Sequence, residues 1–99
     1  MSIREKCYRI VCEIPKGRVS TYKEVAESLG IKGYRAIGMI LKKNPKPIEI
    51  PCHRVVKSNG EVGGYVGGIE RKIELLREEG ISIKNNKIVN FERYFFKIR

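Results

Sequence analysis

At 99 residues and 41% hydrophobic content, the chain has material for one compact domain with one small core. Lys and Arg number 21 against 11 Asp and Glu, a net charge of +10, so the surface attracts polyanions, of which nucleic acid is the commonest; a thermophile-style charged surface would need acids that balance the bases. No apolar run approaches the roughly 20 residues of a membrane span, and the start Met1-Ser2-Ile3-Arg4-Glu5-Lys6 lacks a signal-peptide core. A cytoplasmic protein is therefore expected. Three cysteines, Cys7, Cys12 and Cys52, are an odd number for a disulfide framework, and with the lone His53 they show no zinc-ligand spacing. Neither a metal nor a cofactor is expected.

Taken in chain order, Ile3, Cys7, Ile10, Val11 and Ile14 form a helical stripe over residues 3–14, ended by Pro15-Lys16-Gly17. Cys7 and Cys12 read as core or near-core thiols that behave as small hydrophobes. Thr21-Tyr22-Lys23-Glu24 reads as a capping box, with Thr21 accepting from the Glu24 N–H and the Glu24 side chain reaching back. Tyr22, Val25, Ala26 and Leu29 then make one face of a second helix, stopped by Gly30. Past the turn Gly30-Ile31-Lys32-Gly33, a third helix over about 34–43 buries Ile37, Ile40 and Leu41. Two short helices on a glycine-containing turn make a helix-turn-helix candidate. The far side of the third helix carries Arg35, Gly38, Met39 and Lys42. Gly38 costs that helix about 1 kcal/mol relative to Ala. Close approach of a DNA backbone or packing of another helix would each compensate.

Asn44-Pro45-Lys46-Pro47 breaks the helix, and Ile48-Glu49-Ile50-Pro51 is extended because a residue before proline avoids the helical region. Cys52-His53-Arg54 follows, then a short strand at Val55-Val56-Lys57 and a turn at Ser58-Asn59-Gly60. Gly63, Gly64, Gly67 and Gly68 surround Tyr65 in a loop. A fourth helix runs from about Ile69 to Glu79 with Ile69, Ile73, Leu75 and Leu76 as its apolar set, and Gly80 caps it. Two alternating strands flank Asn85-Asn86, a pair suited to the left-handed backbone of a hairpin turn. In the tail, Phe91, Tyr94, Phe95 and Ile98 stand at helical spacing and are expected to pack on the core.

A thiol is a strong nucleophile only as thiolate, and nearby cations or a positioned base lower its pKa. Cys52 and His53 adjoin in a proline-rigidified turn. A bare Cys-His pair is more often a structural cysteine beside an exposed histidine, so the surroundings decide. Pro51-Cys52-His53-Arg54-Val55 resembles the active-site signature of the O6-alkylguanine-DNA alkyltransferases. Gly17-Arg18-Val19-Ser20-Thr21-Tyr22 resembles that family's entry to the first DNA-binding helix, and Arg35-Ala36-Ile37-Gly38 its recognition helix. Asn44-Pro45-Lys46-Pro47 resembles its asparagine hinge. Gly63-Gly64-Tyr65-Val66-Gly67-Gly68 resembles the substrate loop, and Leu75-Leu76-Arg77-Glu78-Glu79-Gly80 the helix bearing an acidic partner. The resemblance covers roughly residues 3–83, in the family's order and spacing.

The resemblance implies a mostly α fold with a small β element: a winged helix-turn-helix-like DNA-binding domain with its active-site cysteine after the recognition helix. It implies that Cys52 accepts the alkyl group once, irreversibly, that His53 is its base through a water, and that Glu79 orients His53. Asn44 would hold the turn. Tyr22 would help rotate the nucleotide and donate at guanine N3. Pro47, Val55, Tyr65 and Val66 would line the substrate site, the Val55 carbonyl reading the exocyclic amine. Thr21, Tyr22, Lys23, Gly33, Arg35, Ala36, Gly38, Lys42 and Ser58 would meet double-stranded DNA, with Arg35 entering the base stack where the guanine leaves. Val66 stands where many members have serine, and Tyr34 where members often have a small residue. Residues 1–99 are expected to form one monomeric domain, without the N-terminal domain of many members and with residues 84–99 as an extension.

Two other readings stand beside this one. A non-enzymatic alkyltransferase-like lesion sensor would bind the same lesions, although such proteins typically lack the acceptor cysteine. A plain helix-turn-helix module would read the major groove and need neither the Cys-His pair nor Glu79. A Cys-His hydrolase has only the dyad in its support.

Overall fold

Side-chain caps set where the first helices begin. In the computed structural model, which describes residues 1–98, helix α1 spans Ile3–Val11, and Ser2 and Glu5 form a reciprocal capping box at its start. The helix ends sooner than its apolar stripe suggests. Ile14 is buried from the turn beyond it, where it joins Cys7 and Val11 in the core. Cys12, at the helix C-cap, is exposed, which corrects the expectation of a near-core thiol.

Strand β1 (Ser20–Thr21) leads directly into α2 (Tyr22–Ser28). The Thr21 hydroxyl accepts from the Glu24 N–H at 2.9 Å. The other half of the expected box is absent, because the Glu24 carboxylate accepts from the Ile98 N–H at 2.8 Å. The tail thus takes the acceptor that a local cap would have used. Helix α3 (Arg35–Lys42) buries Ile37 and Leu41 and leaves Arg35, Met39 and Lys42 exposed. Helices α2 and α3 are the helix-turn-helix-like pair.

One turn of 3-10 helix, Cys52–Arg54, precedes β2 (Val55–Val56). Strands β1 and β2 pair in parallel, Ser20 opposite Val55 and Thr21 opposite Val56. This pairing sets the start of α2 beside the Cys52 turn. Helix α4 (Ile69–Glu78) lies after the glycine-rich loop. The antiparallel hairpin β3 (Ile83–Lys84) and β4 (Lys87–Ile88) turns on Asn85 and Asn86, both in the left-handed region at φ 52° and 61°.

The tail departs from its helical spacing. Only Phe91–Tyr94 is helical (α5); Phe95 is extended and bridges Val19 in parallel. Ile98, 3% exposed, is buried in the core with α1 and α2, so the tail does pack on the core as expected. A second apolar cluster, around Val19, Val56, Leu76 and Ile81, joins the small strands to α4. No helix among the described residues is long and apolar enough to cross a membrane.

Candidate active site

Asn44 holds the Cys52 turn in place. Its side-chain oxygen accepts from the Lys46 N–H at 2.9 Å, and its amide donates to the Ile50 carbonyl at 2.9 Å and to the Cys52 Sγ at 3.1 Å. Between these anchors Ile48 is forced to φ 79°, which a β-branched residue rarely adopts. Burial pushes the Cys52 thiol up from its ordinary value, and the Asn44 bond and the Lys72 ammonium pull only partly against it. The resting sulfur is thus protonated at neutral pH and needs a base to become a nucleophile.

His53 is 1% exposed and donates from Nε2 to a Glu79 carboxylate oxygen at 2.8 Å. Burial lowers the His53 pKa, with Glu79 opposing, so the ring is neutral near pH 7. With the proton on Nε2, the Nδ1 lone pair is the basic one. That atom is buried and has no hydrogen-bond partner among the described residues. The Tyr65 ring meets the imidazole edge-on, centroids 6.4 Å apart.

Glu79 is itself clamped. Arg54 donates from Nε at 3.0 and 3.2 Å and from Nη2 at 2.9 Å, and the Gly17 N–H donates at 3.1 Å. The remaining Arg54 nitrogen donates to the Ile14 carbonyl at 2.8 Å. Burial works to raise the Glu79 pKa, but these bonds and that from His53 outweigh it and hold the carboxyl below its ordinary range. Arg54 was recognisable in the sequence only as a basic neighbour of Cys52. Its partner lies 25 positions away, and folding alone brings the two together.

Lys72 was missed. In place of Ile69, which is 40% exposed, Lys72 points inward at 0% exposure. The available signal was its spacing, since Lys72 stands three and four residues before Leu75 and Leu76. Its ammonium donates to the Val55 carbonyl at 2.6 Å, the Gly64 carbonyl at 3.0 Å and the Tyr22 hydroxyl at 3.3 Å. Three N–H bonds meet three acceptors. Burial lowers its pKa to about 7. Burial also raises the Tyr22 phenol to about 12, with the Cys52 charge a smaller contributor. Gly63 makes the arrangement possible: at φ 76°, a Cβ there would lie 3.0 Å from the Tyr22 hydroxyl oxygen.

These parts open on a pocket of about 500 Å³, the size of a small-molecule site. Cys52 and Tyr22 lie in it beside Leu41. Gly64, Tyr65 and Val66 form a loop wall, and Tyr34, Arg35, Gly38 and Lys42 a helical one; Lys23, Lys57 and Ser58 also line it. Cys52 is the one thiol of the three that lines this pocket.

Other expected site residues lie outside that lining. His53 and Glu79 stand behind Cys52, and Asn44 is buried against its sulfur. The Val55 carbonyl accepts from Lys72, and Pro47 is exposed on the hinge. Gly33 and Ala36 are exposed around the start of α3. Thr21, expected at the DNA surface, is 5% exposed with its hydroxyl engaged as the α2 cap. Among the described residues no group of three or more Cys, His, Asp or Glu side chains could hold a metal ion.

Residues 2–81 match the family model of the 6-O-methylguanine DNA methyltransferase DNA-binding domain. The chain belongs to this family. A methylated-DNA–protein-cysteine methyltransferase of Saccharolobus islandicus is 49% identical over 80 residues, covering 81% of this chain and 52% of that protein. A bifunctional methyltransferase/endonuclease of Picrophilus torridus is 43% identical over 90% of this chain and 30% of its own length. The chain thus spans about half the length, or less, of these curated alkyltransferase relatives. Among solved structures, Mycobacterium tuberculosis OGT in complex with DNA matches 80% of this chain and 50% of its own, at TM-score 0.76 and 36% identity. S. pombe Atl1, in complex with damaged DNA containing O6-carboxymethylguanine, matches at TM-score 0.85 and 33% identity over 98% of this chain and 99% of its own. The family match stops at residue 81, so β3, β4 and the tail lie outside it, whereas the Atl1 likeness runs through nearly all of the chain.

Proposed function

We propose that this protein binds duplex DNA carrying O6-alkylguanine, takes the guanine into the pocket, and transfers the alkyl group to Cys52. The observation that carries the proposal is the placement of the Cys52 sulfur: in the pocket and bonded to Asn44, on a residue followed directly in the chain by a neutral histidine that a clamped carboxylate orients. The relatives' names and their DNA complexes supply the substrate class.

An O6-alkyl carbon is inside the duplex, so the nucleotide must rotate out, at a cost of a few kcal/mol. The basic face around α3 and an inserted Arg35 offset that cost. Gly38 supports close approach: a Cβ there would meet nothing of the protein within 4 Å, leaving helix packing without support. His53 then takes the thiol proton at Nδ1, through a water molecule. The Sγ attacks the alkyl carbon, the S–C bond forms, and the C–O6 bond breaks with its electron pair passing to the guanine. Tyr22 donates a proton at N3 as that charge develops. Charged Lys72 donates to the Tyr22 oxygen, so the phenol proton, which the Gly64 carbonyl accepts at 3.4 Å in the free protein, can turn to the base. His53 then releases its proton to solvent and Tyr22 regains one from it, so that summed over the reaction the guanine gains the one proton the thiol lost. The product is a thioether that nothing in this constellation can hydrolyse, so each molecule acts once.

Intact-mass spectrometry after incubation with an O6-methylguanine oligonucleotide tests the transfer. One added methyl, mapped to Cys52, is the expected result; adduct on Cys12 or Cys7 would refute it. The full-length likeness to Atl1 favours a second reading, a lesion sensor that binds without reacting. Tight lesion binding by fully reduced protein with no adduct would establish that reading instead.

A further inference from the structure

We propose that Tyr34 is a second wedge: an aromatic ring that enters the minor groove beside Arg35 and stacks on a base flanking the rotated guanine. This rests on the DNA-repair reading above and assigns a positioning role in the same site.

Tyr34 is 56% exposed, although burying an aromatic ring is among the larger hydrophobic gains a small domain can make. It does no structural work with its side chain: it stands at the N-cap of α3 and makes no side-chain cap bond. Its backbone, by contrast, is held. The Tyr34 carbonyl accepts from the Ile37 N–H at 3.1 Å and the Gly38 N–H at 3.3 Å, so the ring projects from a rigid helix start. Tyr34 borders the Cys52 pocket on one side and a second hollow against α2, lined by Lys23, Lys32 and one carboxylate, Glu27, on the other. An aromatic face among lysines and one arginine has the composition of a nucleic-acid stacking platform, in which cations hold phosphates while the ring covers a base. When a base leaves the stack, its neighbours lose a stacking partner. Arg35 can fill one side of that gap and Tyr34 the other.

The test compares wild type, Tyr34→Phe and Tyr34→Ala on one O6-methylguanine oligonucleotide, as duplex and as single strand. The ratio of duplex to single-strand Cys52 methylation rates is read for each. Base rotation is followed separately by the fluorescence of 2-aminopurine at the lesion position. The expected result is that Tyr34→Ala lowers the duplex-to-single-strand ratio about tenfold, equivalent to about 1.4 kcal/mol, with a matching loss of the fluorescence change. Tyr34→Phe keeps both within about twofold, because a ring without its hydroxyl still stacks. A Tyr34→Ala ratio equal to wild type overturns the proposal. So does a Tyr34→Phe loss as large as that of Tyr34→Ala, which would mean that the hydroxyl acts by hydrogen bonding. If wild type methylates no cysteine on either substrate, the transfer reading fails, and the 2-aminopurine signal still decides the role of Tyr34.

Discussion

The two walls of the pocket are built in opposite ways. On the Cys52 side almost every polar group has a partner: Asn44 holds the sulfur, Glu79 is gripped by Arg54, His53 and the Gly17 N–H, and Lys72 satisfies three acceptors. On the α3 side Arg35, Met39, Lys42 and the Tyr34 ring are exposed. On the proposed reading the chemistry is prepared before any substrate arrives, whereas the recognition surface would receive its partners from DNA. The difference suits a reaction in which the thiol must be placed to within a fraction of an ångström and the duplex has to be deformed.

The largest effect should come from Cys52→Ala. Transfer is lost altogether while lesion binding, carried by the α3 side, persists. An alkylated product from this variant would show that the two walls are not divided as described, and would be seen directly by mass.

Glu79→Ala breaks the prepared wall without touching the other. It strips His53 of its orienting acceptor and leaves Arg54 with the Ile14 carbonyl alone. Loss of one member of a largely buried pair costs about 3 kcal/mol, which chemical denaturation would measure, along with a transfer rate at least about a hundredfold lower. Unchanged stability would mean that Arg54 finds another partner.

The pH dependence also belongs to the prepared wall. The His53 and Glu79 pKa values both lie below their ordinary 6.5 and 4.5, so in each case the unfolded chain takes up a proton at a higher pH than the folded one does. The stability these two groups contribute is therefore full above pH 6.5, declines as pH falls below it, and declines further below 4.5, while Lys72, lowered from 10.5 to about 7, makes the fold gain stability as pH rises from 7 toward 10.5. The transfer rate should show a matching acid limb below pH 6.5 as His53 is protonated, and an alkaline limb near pH 7 as Lys72, lowered to about 7, loses its charge. A neutral Lys72 amine accepts a hydrogen bond from the Tyr22 hydroxyl and so turns its proton away from the guanine. Lys72→Met, at its lower rate, should lose the alkaline limb; a limb that stayed in place would assign it to another group.

The smallest and sharpest contrast comes from Gly38→Ala on the recognition face. The free protein should gain up to about 1 kcal/mol of stability, since alanine favours the helix and its Cβ meets nothing. Duplex affinity should fall in the same variant. Parallel denaturation and binding titrations would sharpen or break the division, because a rise in both would mean that DNA does not approach that helix closely.

Much of the molecule was legible in its residues. The helix-turn-helix-like pair, the Asn85-Asn86 hairpin and the fourth helix follow from periodicity and turn chemistry, which are local. The Cys52, His53, Asn44 and Glu79 positions came from motif resemblance, and folding brings those side chains together. The departures have separate causes. Glu24 does not close its own capping box because a distant Ile98 N–H reaches it first, and Cys12 is exposed because α1 stops before its apolar stripe does. Lys72 was passed over because a lysine in an apolar stripe is ordinarily taken to point outward.

The sequence alone determined the candidate nucleophile, its neighbours along the chain and the helix-turn-helix-like pair, through a family-like motif and through residue type at short spacing. Tertiary structure alone decided the rest: Arg54 clamping Glu79, Lys72 holding Tyr22 against Gly64, and the tail bonded to α2. Each of these joins groups far apart in the chain, and a buried charge or an unpaired N–H takes whichever partner the packed interior places within reach.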